Sequence, residues 1–330
     1  MIPENKKKAV AHALQSTFGV NEFDEIHELT AGLSSALVFK IIIDSKPYLL
    51  RIITRTDAMA DPTHEYICMK AAAETGIAPK VWYANVDERI SIIDFVEAKP
   101  FPITEAKVKM PDLLKRLHTL PPFPFRINYL DKMDEFVARF REAKMIPGKL
   151  ATGIFDAYAK IKEVYPRDSH DWVACHNDLK PENTLFDGER VWLVDWEAAF
   201  LNDPYLDLAI SASFIVGNDA EERDYLKVYF GKEADNYQHA RFFLMRQLLH
   251  LFYTVVFMQL GKAPDKPLDF NIPLPGFREY HDLIWAGNVS LANADNKLLY
   301  AHVHMEQLRR NLRLKRFEDS LLIVSKGAEG

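Results

Sequence analysis

The chain has 330 residues, 48% hydrophobic and 27% charged, with 41 basic against 47 acidic side chains. This is a globular composition that excludes a mainly disordered or collagen-like chain, and the length calls for two domains or two lobes sharing a cleft. A net charge of −6 without a basic block argues against nucleic acid as a partner and is compatible with a cationic small substrate.

Cys68 and Cys175 are the only cysteines, far apart and without metal-ligand spacing. No disulfide framework is expected, which fits a reducing cytoplasm. Lys6–Lys8 is followed by AVAHALQ, too short and too polar for a signal-peptide core. The most apolar stretch, Leu248–Leu260, is interrupted by His250, Thr254 and Gln259. It falls short of the roughly 20 residues a bilayer demands, so it reads as a buried core helix and no membrane partner is expected.

In chain order, a helix is expected over Lys6–Phe18, then strands over Phe23–Leu29, Ala36–Ile43 and Tyr48–Ile53, the last two joined by the turn-forming DSKP. A helix follows over His64–Glu74, started by Asp61-Pro62 and stopped near Gly76. Two more strands fit Val81–Asn85 and Ile90–Val96, which completes a small sheet-based lobe. From Thr104 the periodicity becomes 3.6, and Leu113, Leu114, Leu117 and His118 share a helix that ends before Pro121-Pro122. Helical patterns then run to the C-terminus, apart from a polar, β-rich island at 172–197 and a Pro-rich segment, 263–275, that reads as a surface loop. The division expected is 1–97 for a small N-terminal lobe and 98–330 for a larger C-terminal one.

The island carries the chemistry. Residues 175–197 read CHNDLKPENTLFDGERVWLVDWE. Thr184–Phe186 and Val191–Val194 are strand-like around a turn at Asp187-Gly188, so the hairpin returns Asn183 and Asp195 to one open end, with Asp178 in the loop before it. Phosphoryl transfer from a nucleotide needs such a set: one carboxylate to orient the acceptor hydroxyl and take its proton, and a carboxylate with an amide oxygen to hold Mg²⁺, a hard cation that prefers oxygen. Asp178 fits the first role, and Asn183 with Asp195 the second. His176 would brace the loop and Lys180 would reach the transferring phosphate. Any one Asp or Asn alone is more often turn chemistry; the whole string is more specific.

HNDLKPEN followed by VWLVDWE resembles the catalytic and metal-binding loops of the aminoglycoside phosphotransferase and choline kinase superfamily. That resemblance implies a protein-kinase-like α+β fold of two lobes: a small N-terminal antiparallel sheet with one helix, and a larger, mainly helical C-terminal part. TAGLSSALVFKI (30–41) is similar to that superfamily's nucleotide-covering loop, which implies nucleotide contacts at Gly32, Ser34 and Ser35. Arg51 in YLLRI stands where the third strand carries a phosphate-binding base, and Glu65 matches its acidic partner. IIDFVEAKPF (92–101) resembles the hinge, which implies that the Asp94 carbonyl and the Val96 N–H contact the base of ATP or GTP. LLKRLHTL (113–120) resembles the helix before the catalytic core. Two features depart from the pattern: the covering loop has one glycine, and Arg51 replaces the lysine of many relatives, a phosphate partner of different geometry.

The activity so implied is Mg²⁺-dependent transfer of the γ-phosphate from ATP or GTP to a hydroxyl of a small molecule, choline- or ethanolamine-like or aminoglycoside-like. A Ser/Thr protein kinase and a nucleotide-binding module without catalysis are the competing readings. A protein kinase has D-F-G and a long activation segment after the metal aspartate. Here Trp196-Glu197 follow Asp195, and DPYLDLA begins eight residues on, at Asp203. A non-catalytic module would lack the base or a metal ligand, and all three residues are present. In DPYLDLA, Asp203 is expected as an N-cap and Asp207 as a hydrogen-bond partner of the catalytic loop. Phe242, Phe243, Tyr253, Phe257, Trp285 and Glu197 are candidates to surround an amine as an aromatic cage, although aromatics at helical spacing are more often core. His302 and His304, two apart on a helix, are expected to face apart.

Overall fold

The computed structural model of the chain describes residues 2–29, 36–57, 60–168, 170–262 and 268–327. Gly32, Ser34 and Ser35, and residues 263–267 of the Pro-rich segment, lie outside the described residues.

A short 3₁₀ turn, Glu4–Lys6, leads into α1 (Lys7–Phe18). Strands β1 (Glu25–Glu28), β2 (Ala36–Ile43) and β3 (Lys46–Ile53) precede α2 (Thr63–Glu74), and β4 (Val81–Asn85) and β5 (Ile90–Asp94) follow it. These five strands form one antiparallel sheet in the order β1-β2-β3-β5-β4. The β2–β3 turn is Asp44–Ser45, both at positive φ (49° and 62°), the primed geometry that matches strand twist. It is so tight that β3 starts at Lys46, two residues before the sequence suggests. At the other end β5 stops at Asp94, whose partner on β3 is Tyr48; one residue further, Pro47 has no N–H to extend the ladder.

Strand alternation sets the two faces of the sheet. Phe39, Ile41 and Ile43 of β2 and Leu50 and Ile52 of β3 are buried with Val10, Ala13 and Leu14 of α1, and each of these apart from Ala13 contributes about 1.5–3 kcal/mol. Arg51, between two of these inward residues, is therefore turned to the opposite face, where α2 lies. α2 sends Tyr66, Cys68, Met69 and Ala72 into the same hydrophobic cluster as the C-terminal helices. The packing thus crosses residue 97, while the chain itself crosses there in an extended segment after β5.

The rest is mostly helical: α3 (Ile103–Leu117), α4 (Tyr129–Glu142) and α5 (Gly148–Val164), then α6 (Pro204–Ile215), α7 (Asp219–Phe230), α8 (Asn236–Gly261), α9 (Phe277–Trp285), α10 (Ala294–Asn311) and α11 (Lys315–Lys326). Between α5 and α6 lie β6 (Val173–Cys175), β7 (Thr184–Phe186), β8 (Val191–Leu193) and β9 (Phe200–Asn202). β6 pairs with β9, and β7 with β8. The chain fold is the expected α+β arrangement of a small antiparallel sheet and a helical part. α8 runs 26 residues, far beyond the expected 248–260, and is long and apolar enough by composition to cross a membrane. It is instead packed by α10, α11 and α6, with Leu244, Leu248 and Val255 fully buried.

Candidate active site

The hairpin behaves as the sequence suggests, with one change of detail. Its loop spans the four residues 187–190 instead of a two-residue turn: Asp187 Oδ1 accepts from Glu189 N (2.8 Å) and Arg190 N (2.7 Å), and Gly188 takes φ 105°. At the open end Val194 N–H donates to Asn183 O (3.0 Å), which closes the ladder where Asn183 and Asp195 meet.

Asp178, Lys180 and Asn183 form a connected cluster. The Asn183 amide donates to Asp178 O and to Asp178 Oδ2, both at 2.9 Å, which commits its nitrogen and leaves its oxygen for another partner. Lys180 Nζ is 2.6 Å from Asp178 Oδ2. Burial works against the Lys180 ammonium, but Asp178 more than offsets it and its pKa lies above the ordinary lysine value. Asp195 sits in the left-handed region at φ 65°, a conformation that a short polar side chain tolerates. Its Oδ1 is buried and accepts no hydrogen bond from the described residues; Arg51 approaches it at 3.7 Å. A carboxylate oxygen without a hydrogen bond and an uncommitted amide oxygen, at the two ends of one short hairpin, are donor types that suit a hard divalent cation.

The loop is held from behind. His176 is fully buried and its Nε2 lies 3.0 Å from Val194 O. A carbonyl only accepts, so Nε2 carries the proton and Nδ1 accepts from Asp178 N (3.3 Å). The ring packs on Trp196 at 4.8 Å between centroids. Asp207 accepts from the N–H groups of His176 (2.8 Å) and Asn177 (2.7 Å) and lies 3.2 Å from His118 Nε2. Asp203 is an N-cap, accepting from Tyr205 N (2.9 Å). Asn177, at φ 63°, donates to Ala198 O (2.9 Å) and accepts from Asn202 (2.9 Å). Sequence reading passed over Asn177; its signal is that Asn is among the few residues that adopt left-handed backbone readily.

On β3, Arg51 hydrogen-bonds Glu65 and lies 3.7 Å from both Asp195 and Glu197. Burial pushes the Glu65 carboxyl up to about 7 against the pull of Arg51, and the charges of Asp195 and Glu197 add to the rise. Burial followed by Asp195 also raises Glu197. In the linker, Asp94 Oδ1 accepts from Trp82 Nε1 (2.6 Å), and Val96 N–H donates to none of the described residues. A cavity of about 400 Å³ lies beside this linker, lined among others by Tyr48, Trp82, Phe95 and Val96; Asp178, Asn183 and Asp195 do not line it.

The six candidate cage residues are not brought together. Phe242 and Phe243 are core, the latter beneath Arg316. Trp285 packs on Phe101 and Phe214, and Glu197 sits by Arg51. Tyr253 and Phe257 alone adjoin each other, together with Tyr300 (5.4 and 4.9 Å). Helical spacing had matched these residues, but α8 turns its aromatics to different neighbours. His302 and His304 do face apart, toward Phe270 and His250 respectively.

The sequence profile of the phosphotransferase enzyme family matches residues 25–243. Protein LicA of Haemophilus influenzae is 31% identical over 150 residues, which are 42% of this chain and 52% of that protein; the match thus spans about half the length of that curated relative. A choline/ethanolamine kinase family protein from Mesorhizobium loti has a similar fold, with TM-score 0.65 and 21% identity over 98% of this chain and all (100%) of that one. The macrolide 2′-phosphotransferase MphH from Brachybacterium faecium is similar at TM-score 0.59 and 16% identity, over 85% of this chain and 98% of that one. With the profile covering 25–243 and the island's geometry lying inside it, the chain belongs to the phosphotransferase enzyme family.

Proposed function

We propose that the chain is a small-molecule kinase that transfers the γ-phosphate of ATP or GTP, with Mg²⁺, to a hydroxyl group. The observation that carries this reading is the grouping of Asp178, Asn183 and Asp195 at the open end of one hairpin, with the Asn183 nitrogen committed and Asp195 Oδ1 accepting no hydrogen bond from the described residues. Asp178 orients the acceptor hydroxyl and takes its proton. Asn183 and Asp195 would hold Mg²⁺, which neutralises phosphate charge when bound. Lys180 is released from Asp178 toward the transferred phosphate, and Arg51, held by Glu65, grips the nucleotide phosphates. Asp94 O and Val96 N–H read the base, with Gly32, Ser34 and Ser35 over the phosphates. His176 fixes the direction of the loop. On this reading 1–97 and 98–330 act as the two lobes of the cleft.

Two observations favour a small acceptor. The interval from Asp195 to the N-cap Asp203 is filled by a 3₁₀ turn, Trp196–Ala198, and by β9, which is tied to β6, so no segment remains to dock a peptide. After burial, the Asp178 charge adds to the rise of the Tyr253 phenol and, behind Tyr253 and Glu182, to that of Tyr300; aromatic rings within the field of a carboxylate suit an amine. A choline- or ethanolamine-like amino alcohol is the acceptor this favours, with an aminoglycoside-like acceptor second. Free, buried Cys68 and Cys175 support a cytoplasmic setting.

The test is nucleotide consumption with Mg²⁺ against a panel of small alcohols and a generic peptide. The reading expects stimulation by an amino alcohol and none by peptide. Peptide phosphorylation alone would make it a protein kinase, and nucleotide binding without turnover on any acceptor would make it a binding module.

A further inference from the structure

α2 carries more than the carboxylate that pairs with Arg51. His64, next to Glu65, and Cys68, one turn on, share an adjoining face of the helix. Each reaches a main-chain carbonyl just beyond Asp195: His64 Nε2 lies 2.7 Å from Glu197 O, and Cys68 Sγ 3.8 Å from Ala199 O. Because a carbonyl only accepts, His64 Nε2 carries the proton. The imidazole is also stacked on Phe200 (4.7 Å, 20°) and meets the edge of Phe125 (6.0 Å, 84°). The two phenylalanines are fixed relative to each other, since Leu201 N–H donates to Phe125 O (2.8 Å). The ring of α2 therefore occupies a slot whose walls belong to the segment that follows the island.

We infer that His64 is a positioning residue that sets the register of α2, so that Glu65 holds Arg51 at the site without any switchable segment. The inference rests on the nucleotide-binding reading above. Successive residues on a helix are 100° apart, so the face that fixes α2 to 197–200 also fixes where Glu65 points. A rotation of α2 that withdrew Glu65 would have to pull the imidazole from between two rings and break its bond to Glu197 O.

The experiment measures dissociation constants of ADP and adenosine, with Mg²⁺, for the full chain and its His64→Phe, His64→Gln and Arg51→Ala variants. Phe keeps a ring for the slot and loses the N–H; Gln keeps an N–H donor and loses the ring. His64→Phe is expected to weaken ADP by about three- to tenfold, the scale of one hydrogen bond, and to leave adenosine, which has no phosphate for Arg51, unchanged. His64→Gln recovers part of the loss, and His64→Phe adds nothing in the Arg51→Ala background. Equal weakening of ADP and adenosine, no weakening of ADP, or full additivity with Arg51→Ala would each overturn the inference. If the unmodified chain binds neither ligand, the nucleotide reading itself falls, a failure visible before any variant is made.

Discussion

The polar island and the interior between α8, α9 and α10 both bury histidines, and they use them in opposite ways. In the island both His176 ring nitrogens are engaged, by Val194 O and by Asp178 N–H, and the ring directs a loop. In the interior His250 Nδ1 lies 2.9 Å from His304 Nδ1, and His281 Nδ1 2.8 Å from Phe277 O, while the Nε2 atoms of all three have no hydrogen-bond partner among the described residues. They pack as rings, with Tyr300 4.4 Å and Phe277 5.2 Å from His304 between centroids. Burial drives the His250 and His304 imidazoles far below the usual range and lowers His281 to about 3. An orphaned atom thus has two meanings here. Asp195 Oδ1 has the Arg51 guanidinium 3.7 Å away in a polar loop; the buried histidine rings pack against aromatic rings. Chemistry follows the neighbours of a polar group and not its residue type.

The comparison breaks first at Asp195. Asp195→Ala is expected to lower turnover by at least about 10³-fold, and Asp195→Asn, which also tolerates the φ of 65°, should do the same with the unfolding transition retained. Undiminished turnover in either variant removes the metal assignment.

The interior is tested by pH. A histidine that stays neutral in the folded chain until about pH 3 takes its proton in the unfolded chain near 6.5. Stability is therefore fully present above pH 6.5 and is lost as pH falls, by about 1.4 kcal/mol per pH unit for each such group. His281→Phe keeps a ring and removes one titration, so the slope between pH 6 and 4 should be shallower by about that amount. Denaturant unfolding at several pH values reads this, and an unchanged slope would mean that His281 is charged where it lies.

The smallest effect is expected in the linker. Val96→Pro deletes an N–H that no described residue accepts, so stability should change little while nucleotide affinity falls about three- to tenfold. Unaltered affinity moves the base-reading position elsewhere.

The difference between the two regions also explains what was legible in the sequence. Asp178, Asn183 and Asp195 lie within one loop and one hairpin, so turn chemistry and strand length bring them together over a short distance. Asp203 as a cap follows from its place just before Pro204 in the same way, whereas Asp207 as a partner of the loop came from resemblance. β2 and β4 match their sequence patterns because alternation and their bounding turns are local signals. The pairing of Arg51 with Glu65 came from resemblance, and its setting did not: the sequence could not indicate that His64 would stack on Phe200, a partner 136 residues away. The aromatic cage failed for the same reason. Spacing along α8 tells which residues share a stripe, and not which of α10, α11 or α7 covers that stripe.

Asp178→Asn tests the central claim most directly, with nucleotide affinity and turnover measured on one preparation. Asn keeps the shape and an acceptor oxygen for Lys180 and loses basicity. The account predicts nearly unchanged nucleotide affinity, turnover lower by about 10²–10⁴-fold, the scale of a positioned base, and weaker binding of a cationic acceptor. Lost nucleotide affinity with turnover largely spared would contradict it and would exchange the roles of Asp178 and Asp195.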